Sequence, residues 1–295
     1  MNPQGTVYDL GYVPHEGPRL GRSGAIRAII KDGVRRALGL HRKARAKFMP
    51  WALIAAAVIP AMVIVSLSFL LAGFGLAGNN PFASPARYFD MIGTLSMLFV
   101  ALIAPTLLIP DRKHGVLEIY ASRPVRAADY LLARATALAL LAALFILIPQ
   151  ATLYIGLAAL HVDGLVAGMM ARIGEIPAIL GSTVGYILGY GAPAFLVAVF
   201  VKRTAIASGV FVVGMVLSLS LTEAVPRNTE VFALKYLSLL SMAAHPMTVR
   251  DWLFGSRPST AMVGLGLPPW YAAVMIVAFT ALTAFVAHRR YRNRL

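Results

Sequence analysis

Long apolar runs constrain the fold of this chain more than any other feature of its sequence. Several of them exceed the roughly 18 residues that a helix needs to cross a bilayer. Of the 295 residues, 59% are apolar and 13% are charged, and that charged share is about half of the quarter that is usual in soluble domains. The sequence therefore predicts an all-α integral membrane protein with several spans.

The apolar runs and the polar segments between them predict six transmembrane helices. These cover residues 51–76, 88–109, 131–160, 176–201, 204–221 and 269–287. We expect residues 1–48 to form a cytoplasmic arm with an amphipathic interfacial helix, and residues 49–295 to form the membrane domain. The apolar but interrupted segment 231–255 predicts short outer helices before span six, with a re-entrant insertion as the alternative.

The Lys and Arg residues are distributed unevenly over the proposed connections. Of the 27, 21 fall on one side of the six-span plan and six on the other, whereas the 12 acidic residues divide equally. Cytoplasmic loops of membrane proteins carry such an excess of positive charge. The pattern predicts a multi-pass plasma-membrane protein with both termini in the cytoplasm, and it explains the net charge of +15 without a nucleic-acid partner.

The N-terminal region divides into two segments. The first 48 residues contain no early apolar region, so we expect the first span to act as an uncleaved insertion signal. Residues 1–21 are rich in Gly and Pro, which predicts either an arm that becomes ordered on contact or a disordered tail. Residues 22–40 predict an amphipathic helix at the membrane interface. Its basic face, expected to contact anionic lipid headgroups, includes Arg27, Lys31 and Arg35.

The sequence lacks the motifs of common catalytic classes. It contains no cysteine, no G-x-x-x-x-G-K-[ST] loop for nucleotide phosphates and no H-E-x-x-H or similar metal-ligand spacing. A G-x-S-x-G hydrolase elbow is also absent. The centres of the spans are almost free of ionisable residues, which argues against a proton-coupled carrier. We expect no enzymatic activity, metal or cofactor on this chain by itself.

Polar and small residues within the spans allow two interpretations each. Four polar residues either line a path for an amphipathic substrate or are satisfied by neighbouring helices; they are Gln150, Tyr154, Tyr186 and Tyr190. Three glycines at four-residue spacing lie on one helix face and predict close packing within the chain rather than a dimer contact; they are Gly181, Gly185 and Gly189. Four prolines are either hinge points or tolerated kinks; they are Pro60, Pro105, Pro149 and Pro193.

The longest polar interruption after the N-terminal region covers residues 111–130, DRKHGVLEIYASRPVRAADY. Helical spacing of Val116, Ile119 and Tyr120 predicts an apolar stripe on a short helix. Pro124 is expected to end that helix. A surface loop on lipid headgroups and a docking helix for a cytoplasmic partner both fit this pattern. A second pattern, His114 with Glu118, has the i, i+4 spacing of a side-chain pair.

This stretch resembles the signature between spans two and three of type-2 ABC exporter permeases. That signature has an acidic-basic pair, Gly-Thr-Leu-Glu, an apolar run, Pro-Val and an acidic residue at the start of the next helix. Val116 replaces the usual Thr. The matching residues are Asp111, Arg112, Gly115, Leu117, Glu118, Pro124, Val125 and Asp129. The N-terminal string YDLGYVPHEGPRLGR is more loosely similar to that of actinobacterial-type members.

The resemblance implies a permease subunit that depends on a separate ATPase. Two copies of a cytoplasmic ABC ATPase, binding ATP and Mg²⁺, would drive export, and the permease would form a dimer with a second copy or with a similar permease. Residues 111–123 would form the coupling helix that docks on the ATPase. The residues assigned to this contact are Arg112, Gly115, Val116, Leu117, Glu118, Ile119, Tyr120, Arg123 and Pro124.

Two other classes of protein fit parts of the sequence. A non-transporting membrane anchor or sensor would recruit a cytoplasmic partner without nucleotide-binding motifs through the same stretch. An intramembrane lipid-modifying enzyme would be active as an isolated chain, but the scarcity of titratable residues within the spans argues against it. Drugs, lipids, glycans and peptides would all suit the apolar path.

Overall fold

The computed structural model describes residues 21–40, 44–76, 80–121, 125–224, 238–256 and 267–292. Within these ranges all regular structure is helical, with ten α-helices and one 3₁₀ turn, Ser238–Leu240. The α-helices are α1 (Gly21–Ala37), α2 (Ala44–Gly73), α3 (Pro85–Lys113), α4 (Val116–Ala121), α5 (Ala127–Ala158), α6 (Leu165–Ala171), α7 (Glu175–Phe200), α8 (Thr204–Ala224), α9 (Ala244–Phe254) and α10 (Trp270–Arg292).

Five of these helices are long and apolar enough to cross a membrane: α2, α3, α5, α7 and α10. They coincide with five of the six predicted spans. The predicted fifth span coincides with α8, whose described apolar stretch, Thr204–Ser220, is shorter. Length and composition thus give an all-α protein of the multi-pass membrane type with five candidate spans in the described residues.

The polar interruption at 111–130 is shorter than the sequence predicted. Helix α3 continues to Lys113, and α5 begins at Ala127 instead of near residue 131. The early start of α5 has a local cause, because the Asp129 carboxylate accepts a hydrogen bond from the Arg126 backbone N–H at 3.0 Å. Such a bond satisfies one of the unpaired donors at a helix N-terminus. Residues 111–123, the predicted coupling helix, thus include the end of α3 and the short helix α4.

Helix α3 lies at the centre of the bundle and contacts α2, α5, α7 and α8. In its most apolar window 72% of the residues are buried, compared with 22% in α2 and in α10. Helices α2 and α10 expose many large apolar side chains, as lipid-facing helices do in a bilayer. The interior of the protein is thus built around α3, with α2 and α10 at the periphery.

The glycine face of α7 packs against α9. A Cβ added at Gly181 would lie 2.8 Å from Leu253, one at Gly185 would lie 3.4 Å from Val249, and one at Gly189 would overlap Pro246. The prediction of close packing within the chain is confirmed. The same contacts show that residues 244–254 form a short helix packed on the bundle. Residues 231–237 of the predicted outer segment lie outside the described residues.

Candidate functional site

The end of α3 and the start of α5 meet around a buried carboxylate. Asp111 and Arg134 are both fully buried, with Arg134 Nη2 2.6 Å from Asp111 Oδ2. The Tyr130 hydroxyl donates a hydrogen bond to the same oxygen at 2.8 Å. A buried charge left without its partner costs about 3–5 kcal/mol, so these contacts hold α3 and α5 in one relative position. Sequence reasoning gave Arg134 no partner.

Helix α1 binds this carboxylate from another side. Arg36 donates hydrogen bonds to Asp111 and to Asp32, the latter at 2.7 Å. Arg134 in turn donates to Asp32 at 3.0 Å. The resulting polar network consists of Asp32, Arg36, Asp111, Tyr130 and Arg134. Its Asp32–Arg36 pair has the i, i+4 spacing of a helix, but no local spacing pattern could have identified the contacts that join the three helices.

The apolar face of α1 lies on protein. Ile29 is 2% exposed, and a Cβ at Gly33 would lie 3.0 Å from the Ala137 Cβ, so α1 and α5 approach each other closely. The side chains on the predicted headgroup-facing side, Arg27, Lys31 and Arg35, are exposed. Their contact with lipid remains a prediction, as does the amphipathic helix's place at the membrane interface.

Arg112, which the family resemblance assigned to ATPase docking, binds the C-terminus of α7. Its guanidinium donates hydrogen bonds to the backbone carbonyls of Ala198, Val199 and Val201, the last at 2.8 Å. The final carbonyls of a helix have no partners within the helix, and a cation there also interacts favourably with the helix dipole. The structure thus gives Arg112 a contact within the chain that the sequence did not predict.

The C-terminal turn of α10 lies at the same end of the bundle. The Tyr291 ring stacks on the Tyr130 ring with centroids 5.7 Å apart, and the Arg290 guanidinium lies 4.6 Å from the Phe200 ring centroid. We call this end, which carries the polar network, α4 and the C-termini of α7 and α10, the basic end. Its exposed cations in the described residues include Arg27, Lys31, Arg35, Lys113, Arg126, Lys202, Arg203, Arg289, Arg290 and Arg292.

Helix α4 is a separate short helix at the basic end. Gly115 precedes it with φ of +67°, a conformation that favours glycine, and this turn breaks the helix between His114 and Glu118. These two residues therefore do not share one continuous helix, and the predicted i, i+4 geometry is absent. Glycine at this position therefore allows the turn that separates α3 from α4.

Burial divides the predicted apolar stripe of α4. Leu117, outside the stripe, is 5% exposed, whereas Ile119 is 58% exposed. Val116 and Tyr120 are half-buried, and the Tyr120 ring lies 5.7 Å from the Tyr130 ring; burial raises the pKa of Tyr120. Helix α4 therefore rests on the bundle through Leu117 and Tyr120 and presents Ile119 to the outside.

The remaining residues of the predicted docking contact fall into two groups. Glu118 is exposed beside Ile119 on α4. Arg123 and Pro124 lie outside the described residues, and so does the N-terminal arm, residues 1–20. The described part of the predicted contact therefore reduces to one exposed acidic residue and one exposed apolar residue.

The side chains predicted for a substrate path are buried inside the bundle. Gln150 is 1% exposed and its amide donates to the Pro85 carbonyl at 3.3 Å. The Tyr154 hydroxyl donates to the Met169 carbonyl at 2.6 Å. Met169 belongs to α6, a short helix between the predicted third and fourth spans. Neighbouring segments thus accept hydrogen bonds from the Tyr154 hydroxyl and from the Gln150 amide nitrogen.

The other two predicted path residues, Tyr186 and Tyr190, are each 1% exposed and meet edge to face with ring centroids 5.4 Å apart. An ion cluster lies nearby, at the end of the bundle opposite the basic end: the Arg250 guanidinium binds the carboxylates of Asp251 and Asp90. Burial disfavours the charge on Arg250, but the neighbouring Tyr186 and the two carboxylates outweigh it and raise the pKa of Arg250.

A cavity lies between α5, α7 and α10, and none of the four predicted path residues lines it. Its volume is about 500 Å³, and its walls are almost entirely apolar. The polar exceptions include Thr136, Thr280, Thr283 and His288. All three helices around this cavity are candidate spans.

The described residues contain no group of three His, Asp or Glu side chains placed to hold a metal ion. The site that remains is a basic, polar end on an apolar helical bundle. By length and composition, the five candidate spans of that bundle are those of an all-α multi-pass membrane protein. The chain matches no model of a known protein family and no curated protein sequence.

Proposed function

We propose that this chain is the membrane-spanning permease subunit of an ATP-driven exporter. The observation that carries the proposal is α4, a two-turn helix between two candidate spans that rests on the polar network and presents Glu118 and Ile119 outward. A membrane subunit without its own nucleotide site needs such a contact to receive a partner's conformational change. The signature residues around α4 support the same assignment.

The contacts of α4 supply a route by which a push on it would reach the spans. Tyr120 packs on Tyr130, and Tyr130 donates to the Asp111 carboxylate at the end of α3. Displacement of α4 would therefore act on α3 and α5 together. Arg36 would carry the displacement to α1. Packed elements of this kind move as units because protein interiors are close-packed.

The proposed topology has six spans with the basic end in the cytoplasm. Helix α8 would be the sixth membrane helix, packed on α3 and α7 with the Ser208 hydroxyl donating to the Ala101 carbonyl at 2.7 Å. The exposed cations of the basic end follow the positive-inside distribution. Both termini would then lie on the cytoplasmic side of the plasma membrane, and α9 would lie at the outer face.

The proposed assembly contains two copies of a cytoplasmic ABC ATPase, which bind ATP and Mg²⁺, and a second permease copy or a similar permease. The role of this chain's residues is to bind the ATPase and to reorient the spans. Hydrolysis itself would occur on the partner, so the isolated chain would have no ATPase activity.

Co-purification tests this proposal. The tagged full-length chain is isolated from its native membranes, the retained proteins are identified by mass spectrometry, and ATP hydrolysis is measured. We expect an ABC ATPase to be retained, and the Glu118→Lys, Ile119→Glu double variant to lose about tenfold or more of it, since both changes place an unpaired charge in the contact.

The chain offers a matched control at the opposite end of the bundle. Val162 is 99% exposed and Asp163 beside it is exposed as well, so Val162→Glu with Asp163→Lys makes the same chemical changes elsewhere. Equal retention of the ATPase by wild type and by the Glu118, Ile119 variant would refute the α4 contact. A retained partner without nucleotide-binding motifs would favour the membrane anchor or sensor instead.

A further inference from the structure

A second, smaller cavity at the basic end has a strongly cationic lining. It lies where the C-terminal ends of α3, α7 and α10 meet, and its volume is about 210 Å³. Its walls are formed by Ile109, Arg112, Lys113, Phe200, Lys202 and Arg290. We call it the basic pocket. Of these six residues, only Arg112 belongs to the docking contact that the family resemblance implies.

The lining of the basic pocket contains four cations and no carboxylate. The acidic residue next to Arg112 in the sequence, Asp111, is fully buried and is bound by Arg36, Tyr130 and Arg134. These three residues bind the Asp111 carboxylate, so its charge does not offset the charge of the basic pocket. Among the residues that the structure describes, no acidic side chain lines the basic pocket.

The helix ends do not balance this charge either. The C-termini of α3, α7 and α10, at Lys113, Phe200 and Arg292, each contribute roughly half a negative charge. Together they offset about one and a half of the four positive charges, partly through the Arg112 contacts with the α7 carbonyls. An excess of about two to three positive charges remains, and an anion with several oxygen atoms would relieve their mutual repulsion.

The apolar part of the lining indicates what kind of anion fits. Ile109 is buried, while Phe200, the last residue of α7, is 49% exposed. The three helices that form the pocket are candidate spans, so their ends lie at the level of lipid headgroups. Basic pockets between transmembrane helices on the cytoplasmic side bind anionic headgroups in membrane proteins. A free anion or an acidic peptide would not use the apolar edge.

We propose that the basic pocket binds the phosphate group of an anionic glycerophospholipid. The cations of Lys113, Lys202 and Arg290 surround the phosphate, and the glycerol end of the lipid lies against Phe200 and Ile109. The volume is several times the roughly 30 Å³ that one water molecule occupies in the liquid, which accommodates a phosphate with its first carbon atoms. The bound lipid joins the ends of α3, α7 and α10.

Native mass spectrometry of the detergent-solubilised full chain tests this site. The chain is titrated with phosphatidylglycerol and, separately, with phosphatidylcholine. We expect wild type to bind phosphatidylglycerol more tightly. The Lys113→Gln, Lys202→Gln variant should bind it about tenfold more weakly, because two charge-assisted hydrogen bonds are lost. Both side chains are exposed, so the unfolding temperature should be unchanged.

The matched control is Lys47→Gln with Arg87→Gln, which removes two exposed cations outside the basic pocket and outside the predicted lipid-contacting face of α1. This variant has the same net charge as the pocket variant and should bind phosphatidylglycerol as wild type does. Equal affinities in the two variants would overturn the proposal, because binding would then follow net charge alone. The absence of any preference for phosphatidylglycerol in wild type would overturn it too.

A separate arm of the experiment distinguishes a lipid from a free anion. Inorganic phosphate at millimolar concentration is added to the wild-type complex with phosphatidylglycerol. Retention of the lipid supports the proposal, since Phe200 and Ile109 contribute contacts that inorganic phosphate lacks. Complete displacement would overturn the lipid assignment and identify a free-anion site.

Discussion

The Asp111 carboxylate at the end of α3 lies 2.6 Å from the Arg134 guanidinium near the start of α5, and neither side chain is exposed to solvent. Replacing Arg134 by Met would leave the carboxylate buried with fewer partners, which typically costs about 3–5 kcal/mol. We expect a large fall in the unfolding temperature, measured by thermal denaturation in detergent. Arg27→Met, at an exposed position of α1, serves as the control and should have little effect.

The same pair predicts a non-additive double variant. Asp111→Leu combined with Arg134→Met removes both charges together, so that neither charge stays buried without the other. We expect the combined loss of stability to be smaller than the sum of the two single losses, as is usual for residues in direct contact. Strictly additive losses would show that the two side chains do not stabilise each other.

We expect substitutions at Leu117 and Ile119 of α4 to differ strongly in how much stability they cost. Leu117→Ala should cost about 2–5 kcal/mol, since it removes a buried side chain, whereas Ile119→Ala should change stability by less than about 0.5 kcal/mol. Thermal unfolding of the purified chain measures both. A greater loss of stability from Ile119→Ala would mean that the stripe of Val116, Ile119 and Tyr120 faces the bundle and that Leu117 does not.

We expect a Gly→Ala substitution to lower the stability of the protein on the glycine face of α7 and to raise it in α8. Gly189→Ala places a Cβ against Pro246 and should destabilise the packing of α9, since overpacking typically costs about 1–3 kcal/mol. Gly209→Ala in α8 has no neighbour within 4 Å in the described residues and should gain about 0.5–1 kcal/mol from helix propensity. Thermal unfolding and protease sensitivity near α9 measure the two effects.

A buried histidine predicts that stability falls at mildly acidic pH. The His245 side chain is fully buried, with its Nε2 atom 3.0 Å from the Leu239 carbonyl, and burial lowers the pKa of His245 below its ordinary value of 6.5. The unfolded chain therefore binds a proton more readily than the folded chain. Stability should be retained above about pH 6.5 and should decrease as the pH falls from there towards the lower folded-state pKa.

His245→Gln tests the source of this pH dependence. Glutamine can still donate a hydrogen bond to the Leu239 carbonyl but does not titrate. We expect its unfolding temperature to change less between pH 7.5 and pH 5.5 than that of wild type, while His161→Gln, at an exposed position, keeps the wild-type dependence. An unchanged slope in His245→Gln would assign the effect to other groups.

Residue spacing predicted the apolar positions of α4 but not which of them face the protein. Val116, Ile119 and Tyr120 do follow helical spacing, yet the face that packs inward includes Leu117. A helix of six residues is too short for its own periodicity to fix its orientation, and the turn at Gly115 sets it instead. The same limit applies to Arg112, whose carbonyl partners on α7 lie more than 80 residues away along the chain.

The sequence by itself determined the helical class, five of the six predicted spans as candidate spans, and the glycine packing face of α7. A helix that crosses a bilayer must be apolar over its whole length, and close helix packing requires small residues at regular spacing, so both features can be read locally. Only the tertiary structure decided which charges meet. Arg36 binds Asp111, 75 residues away in the sequence, and Arg134 binds the Ile29 carbonyl, 105 residues away. Each charged side chain finds its partner only when the packed bundle brings the termini of particular helices together.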